Sequence, residues 1–192
     1  MSRGLGDVYK RQLPSHGIYR PLDGELRQLA EMIGSAERIT VFCGIGAREA
    51  HDEVVRLAAM LKAPVAYTFK AKMEVQYDNP YEIGMTGLLG LPSAYGAMHE
   101  SDLLLLLGTD FPYDCFLPSE CRIAQVDIRP ERIGRRARVE LGLAGDVKDT
   151  LQALLPMLRE RSDRTFLDRQ LKIYRALCDD MAAVASKRGS TG

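Results

Sequence analysis

Residues 39–62, ITVFCGIGAREAHDEVVRLAAMLK, decide the fold. Ile39–Cys43 is an apolar run of strand length, which suits a buried strand. Gly44 and Gly46 interrupt it. Val54, Val55, Leu57, Ala58 and Leu61 then recur at helical spacing and predict a helix over about 48 to 62. A strand, a glycine turn and a helix in direct succession form half of a parallel βαβ unit.

The neighbouring segments continue the alternation. Leu22, Leu26, Leu29 and Ile33 predict a helix over 22–34, stopped by Gly34-Ser35. Ala63-Pro64 leads into a second short strand, Val65–Thr68, and Lys70–Gly90, with Asp78-Asn79-Pro80 and Gly84, Gly87 and Gly90, reads as an irregular loop. A loop of that length inside a compact domain is usually functional. A helix around Ser93–Glu100 precedes Leu103–Leu107, whose unbroken leucines suit a strand covered on both faces. Ile123–Ile128 is a further strand ending before Pro130, and Leu151, Leu154, Leu155 and Leu158 mark a helix over about 147–160. Strands alternating with helices predict an α/β fold, a doubly wound, Rossmann-like parallel sheet. Leu167, Leu171, Tyr174, Cys178 and Met181 then predict an amphipathic helix, whose apolar stripe packs either on its own sheet or on a partner outside the chain. Residues 1–20, with Gly4, Gly6, Pro14 and Gly17 and no sustained period, read as a disordered leader or linker.

Composition narrows the function. The 192 residues carry 26 basic and 26 acidic side chains, so no positive surplus favours nucleic acid. The longest aliphatic run, Leu103–Leu107, is far below the ~20 residues of a membrane-spanning helix. Met1–Gln12 lacks the apolar centre of a secretory signal, so the expected setting is cytoplasmic and the expected state of Cys43, Cys115, Cys121 and Cys178 is reduced. These cysteines form no CxxC pair and predict no zinc site. His16, His51 and His99 read as surface or capping residues, and no catalytic grouping stands out.

The chemistry concentrates at predicted strand ends, where open parallel sheets bind ligands. Gly44 and Gly46 either bring backbone N–H groups to a phosphate or make an ordinary tight turn. Thr86 and Gly87 can reach a long cofactor beside an apolar wall of Leu88 and Leu89. Gly108 and Thr109 can present an amide and a hydroxyl, and Phe111 and Tyr113 present ring faces or pack in the core. Asp127 either accepts both hydroxyls of a ribose or turns the chain before Pro130. Gly145-Asp146 closes the set, which as a whole favours an extended dinucleotide.

GIGAR (44–48), YDNPYEIGMTGLLG (77–90), LLGTDFPY (106–113), QVDIRPERIG (125–134) and AGDVKDTLQALLP (144–156), in this order, resemble the middle domain of thiamine-diphosphate enzymes. GMTG and GTDFPY make the chain most similar to the pyruvate oxidase and quinone-linked pyruvate dehydrogenase branch. The resemblance implies a Rossmann-like domain over 21–160 that binds FAD through Gly44, Gly46, Thr86, Gly87, Leu88, Leu89, Thr109, Asp110, Phe111, Pro112, Tyr113 and Asp127, with Asp146 and Val147 near the adenine. Residues 161–192 would lead toward a thiamine-binding domain. In that family thiamine diphosphate and Mg²⁺ are held by other domains of an oligomeric enzyme, which is cytoplasmic or peripheral at the membrane. No GDG followed by a downstream Asn, which would resemble the family's diphosphate and Mg²⁺ clamp, occurs here, so the chain alone is expected not to decarboxylate pyruvate. A non-catalytic nucleotide-binding or assembly module on the same fold is the alternative. An NAD-consuming deacylase fits less well, because its paired CxxC zinc module is missing.

Overall fold

The computed structural model describes residues 17–189. The reading of residues 1–16 as a leader, His16 included, lies outside the described residues. Strands β1 (Ile39–Cys43), β2 (Val65–Tyr67), β3 (Glu82–Met85), β4 (Leu103–Leu107), β5 (Arg122–Asp127) and β6 (Leu141–Ala144) alternate with helices α1 (Asp23–Ser35), α2 (His51–Leu61), α3 (Lys72–Val75), α4 (Pro92–Glu100), α5 (Val147–Leu154) and α6 (Thr165–Gly189). The strands make one sheet in the order β3-β2-β1-β4-β5-β6, and every neighbouring pair is parallel. This is the expected doubly wound fold. The order reverses between β1 and β4, which opens a crevice at their carboxyl ends.

Alternation along each strand divides the core into two layers. Ile39, Val41, Cys43, Leu103, Leu105 and Leu107 pack with Leu26, Leu29 and Ile33 of α1, Val54 and Leu57 of α2, and Leu151 and Leu154 of α5. Phe42, Leu104, Leu106 and Ile123 face the other way, onto Ala94, Ala97 and Met98 of α4 and Leu167 and Leu171 of α6. Both faces are covered, which is why the strands read as continuous apolar runs. Thr40 is the polar exception on β1, and its buried hydroxyl lies 2.6 Å from Ser101 Oγ.

The structure differs from the sequence reading in four places. The stretch 70–90 is not wholly irregular: it contains α3 and the edge strand β3. β3 has only four residues, and its Gly84 has φ +88, so it shows no strand alternation. β6 is equally short, with a glycine inside it. The helix predicted over 147–160 stops at Leu154, because Pro156 has no N–H for the helical ladder, and a 3₁₀ turn Leu155–Met157 follows. The helix predicted from residue 48 starts at His51, behind a 3₁₀ turn over Ile45–Ala47.

The C-terminal helix packs its apolar stripe on its own sheet over its first half. Leu167 and Leu171 are buried on the sheet, and Tyr174 Oη donates to Glu82 of β3 at 2.9 Å. Beyond Cys178 the apolar stripe turns outward, with Met181 and Val184 exposed. The connection to α6 crosses the amino edge of the sheet. There the Arg161 guanidinium donates to the carbonyls of Ile33, Ala36 and Glu37, which satisfies acceptors left open at the end of α1.

Burial pushes the Cys43 thiol up to about 12 from its ordinary value near 9. A raised acid loses stability for the fold only when it must ionise. The contribution of Cys43 is therefore fully present below pH 9 and is lost as pH rises from 9 toward 12. Urea unfolding between pH 8 and pH 10.5 is expected to show a decline of which about 1–2 kcal/mol disappears in Cys43→Ala. Equal slopes for both proteins would show that the thiol titrates freely. Tyr67 and Tyr174, also raised, by burial and by the Glu82 carboxylate they share, leave a residual slope at the alkaline end.

Candidate functional site

The carboxyl ends of the strands gather nearly all of the sequence-predicted residues on one edge. At the switch point the glycines are explained first by backbone packing. A Cβ on Gly44 would lie 2.4 Å from the Gly108 carbonyl oxygen and 2.6 Å from Thr109 Cα, and one on Gly46 would lie 2.7 Å from Gly108 Cα. The turn's donors are also used internally. The Gly44 N–H donates to Leu107, that of Gly46 to Gly108, that of Ala47 to Gly44 and that of Arg48 to Ile45. Gly108 is itself left-handed, with φ +61. The two loops thus form a closed floor for the crevice.

The loop after β4 is fixed from β5. Gln125 is buried in the middle of that strand. Its side-chain amide donates to the Thr109 carbonyl at 3.1 Å and to the Arg132 carbonyl, while its oxygen accepts the Gly134 N–H at 2.9 Å. Asp110 is held by Arg135 and Arg136, each at 3.1 Å. Phe111 belongs to the core: it is 4% exposed and meets Phe42 edge-on at 5.1 Å. Pro112 is exposed and Tyr113 half-buried. Gly87, with φ +117, brings the 86–90 turn onto this loop, because a Cβ there would touch the Phe111 and Tyr113 rings at 3.6 Å. Segments more than 20 positions apart in sequence therefore meet at one end of the crevice.

Three buried polar side chains line the edge: Thr86 after β3, Thr109 after β4 and Asp127 closing β5, at 5%, 4% and 3% exposure. Asp127 Oδ1 accepts the Arg129 N–H at 2.9 Å, which is the chain-turning role. No described residue hydrogen-bonds its other oxygen or either threonine hydroxyl. Burial raises the pKa of Asp127, and the Arg129 N–H and the Arg132 charge oppose that shift. None of these three oxygens is sealed from solvent; among the described residues the enclosed side-chain atom without a partner is Thr150 Oγ1. The three are therefore open to water or to a ligand.

The remaining candidates are placed differently. Leu88 and Leu89 project at 72% and 74% exposure, and Ile45, Phe69 and Ile128 are likewise exposed at strand ends, so the edge carries an apolar rim. Asp146 caps α5 by accepting the Asp149 N–H, and its own N–H donates to the Tyr19 carbonyl at 2.7 Å. Val147 is buried in the core. A groove of about 1310 Å³ lies at the opposite, amino edge, where Arg27, Arg38 and Arg159 mix with Glu31, Glu37 and Asp163; no carboxyl end of a strand lines it. Among the described residues no group of three or more His, Cys, Asp or Glu could hold a metal, and no helix is long and apolar enough to cross a membrane.

Residues 26–154 match the model of the thiamine pyrophosphate enzyme central domain. The chain belongs to this family. An uncharacterised 42.6 kDa protein in the isoamylase 3′ region of Pseudomonas amyloderamosa is 50% identical over 158 residues, 82% of this chain and 40% of that protein. A putative thiamine pyrophosphate-containing protein of Bacillus subtilis, YdaP, is 34% identical over 84% of this chain and 28% of its own length. A probable acetolactate synthase large subunit of Methanocaldococcus jannaschii is 31% identical and a pyruvate oxidase of Lactiplantibacillus plantarum 29% identical, each over 70% of this chain. They are covered to 24% and 23%. The chain thus spans less than half the length of the curated relatives it matches. As a thiamine pyrophosphate enzyme central domain, it corresponds to a part of each of these longer relatives.

Sequence reasoning missed Gln125 and the arginines of 129–136 as parts of this edge. A lone amide inside the buried run Ile123–Asp127 was the available signal.

Proposed function

We propose that the carboxyl edge binds FAD and that the chain is the flavin-binding middle part of a longer thiamine-diphosphate enzyme of the pyruvate oxidase or pyruvate:quinone oxidoreductase type. The observation that carries the reading is the row of Thr86, Thr109 and Asp127, buried residues that each keep an oxygen bonded to no described residue and still open to solvent. The three come from the loops after β3 and β4 and from the end of β5, so the row follows the carboxyl edge across the switch point. A row that crosses the switch point suits an extended dinucleotide. When bound, FAD supplies the electron transfer, and the protein orients and tunes it.

In this reading Gly44 and Gly46 keep the crevice floor free of side chains, Thr86, Gly87 and Thr109–Tyr113 line it, Leu88 and Leu89 wall it, and Asp127 takes the ribose. Asp146 and Val147 lie near the adenine. Thiamine diphosphate and Mg²⁺ belong to other domains of the same oligomeric, cytoplasmic enzyme, and the isolated chain is inactive. The GMTG and GTDFPY elements support the oxidase branch. The acetolactate synthases among the relatives support a second reading, in which the bound nucleotide assembles the enzyme without redox turnover. Flavin reduction by pyruvate in the longer protein separates the two.

Titrating the purified chain with FAD tests the module itself. Saturable binding is expected, and its absence at high micromolar FAD would overturn the reading. Asp127→Ala is expected to weaken FAD by about 1–3 kcal/mol, roughly 5- to 150-fold in Kd. An unchanged Kd would show that Asp127 does not hold the ribose.

A further inference from the structure

We infer that Glu82 is a positioning residue that joins helix α6 to the 86–90 turn: one carboxylate fixes both the docked half of α6 and the root of the turn, so that releasing α6 loosens the carboxyl edge. The coupling goes beyond the dinucleotide reading above, and only the ligand arm of its test rests on that reading.

Glu82 opens the edge strand β3 and is half-buried. Its Oε2 accepts the Tyr67 hydroxyl at 2.6 Å, and its Oε1 accepts the Tyr174 hydroxyl at 2.9 Å and the Gln76 amide at 3.4 Å. No described lysine, arginine or histidine forms an ion pair with it. The carboxylate is therefore held by neutral donors from β2, from α6 and from the end of α3. Burial, and then the shared carboxylate, raise both phenols, so they stay protonated and donating. The other side-chain bonds of α6 run to Glu100 of α4 or stay within the helix, so Tyr174 supplies its polar tie to the sheet among the described residues.

The turn is rooted in the same place. Tyr67 is buried, and while its phenol donates to Glu82, its carbonyl accepts the Thr86 N–H at 3.3 Å. At the other end of the turn the Met85 carbonyl accepts the Leu91 N–H at 2.7 Å. Gly84 lies between these ties. A Cβ there would lie 2.9 Å from Leu91 Cδ1 and 3.1 Å from Tyr174 Cε2, so the Tyr174 ring presses on β3 directly before the turn begins. Beyond Cys178 the helix projects, with Met181 and Val184 exposed. A displacement of that half reaches Tyr174 first, then Glu82 and Tyr67, and through Tyr67 the Thr86 N–H. Coupling of this kind is reciprocal, so a ligand that steadies the turn also steadies α6.

The test is hydrogen–deuterium exchange on the full 192-residue chain, followed at 86–91 and 172–182 with β1 and β4 as the reference, in wild type, Glu82→Ala, Glu82→Gln and Tyr174→Phe. In Glu82→Ala both segments are expected to exchange about tenfold faster or more, with the reference strands unchanged. Glu82→Gln, which keeps one acceptor oxygen, is expected to fall between wild type and alanine. Tyr174→Phe is expected to accelerate both segments although its ring still covers Gly84. Faster exchange in α6 with an unchanged turn overturns the coupling. So does a uniform acceleration that includes β1 and β4, which would make Glu82 a general stabiliser. If Glu82→Ala unfolds, the glutamine and phenylalanine variants carry the test. In the ligand arm, FAD is expected to slow exchange at 172–182 as well as at 86–91, and Tyr174→Phe to raise its Kd about fivefold. FAD that protects the turn and leaves α6 unchanged overturns the coupling and keeps the flavin reading. A wild-type chain that binds no FAD removes the flavin reading, and the variants' exchange then decides the coupling alone.

Discussion

Gly44→Ala is expected to destabilise the domain by about 3 kcal/mol, the upper end for forcing atoms into a packed interior. The cause is contact and not backbone conformation. Gly44 has φ −100, which any residue adopts, but its Cβ position lies within 2.6 Å of the Gly108 oxygen and of Thr109 Cα and Cβ. These are main-chain atoms or atoms fixed to it, and Gln125 holds Thr109 from below. To admit a methyl group, the loops after β1 and β4 must separate, and the hydrogen bonds from Gly44 to Leu107 and from Gly46 to Gly108 must stretch. The readout is the midpoint of urea unfolding, with Gly96→Ala as the control. Gly96 lies inside α4, where an added Cβ meets nothing within 4 Å, so alanine there is expected to stabilise by about 0.5–1 kcal/mol. A Gly44→Ala protein as stable as wild type would show that the two loops are not closed on each other.

Leu104→Ala is expected to cost about 3–4 kcal/mol. Leu104 is fully buried on β4, the strand between β1 and β5, and packs in the layer that contains Phe42, Met98, Ile123 and Leu167. A central strand cannot shift to refill the space, because both of its edges are hydrogen-bonded, so most of the cavity persists. A loss under 1 kcal/mol would mean that α4 or α6 moves in, and that the second face of the sheet is looser than its burial indicates.

The legibility of the fold followed the length and covering of each element. β1 and β4 are five-residue strands buried throughout, and their apolar runs name them from local sequence alone. β3 and β6 are four-residue edge strands containing glycine, and they exist because a neighbouring strand supplies hydrogen-bond partners; no local preference marks them. The site divided in the same way. Thr109 and Asp127 stood out because they lie at the ends of apolar runs that read as strands, and Thr86 because it sits in a glycine-bracketed loop. Phe111 and Tyr113 were open between ligand and core, and the geometry assigned Phe111 to the core through its contact with Phe42.

What the sequence by itself determined is the alternation of strands and helices, the glycine interruptions and the polar residues at the strand ends. Burial periodicity and backbone permissiveness are properties of a few neighbouring residues, and they can be read one window at a time. Only the tertiary structure decided which of those polar groups remain available. The glycine turn loses its donors to Leu107 and Gly108, more than 60 positions away. Arg135 and Arg136 are claimed by Asp110, while Arg129 and Arg132 are left free. Each donor and acceptor can be used once by a competing partner, and in a parallel sheet the competitor arrives through a crossover from a distant part of the chain.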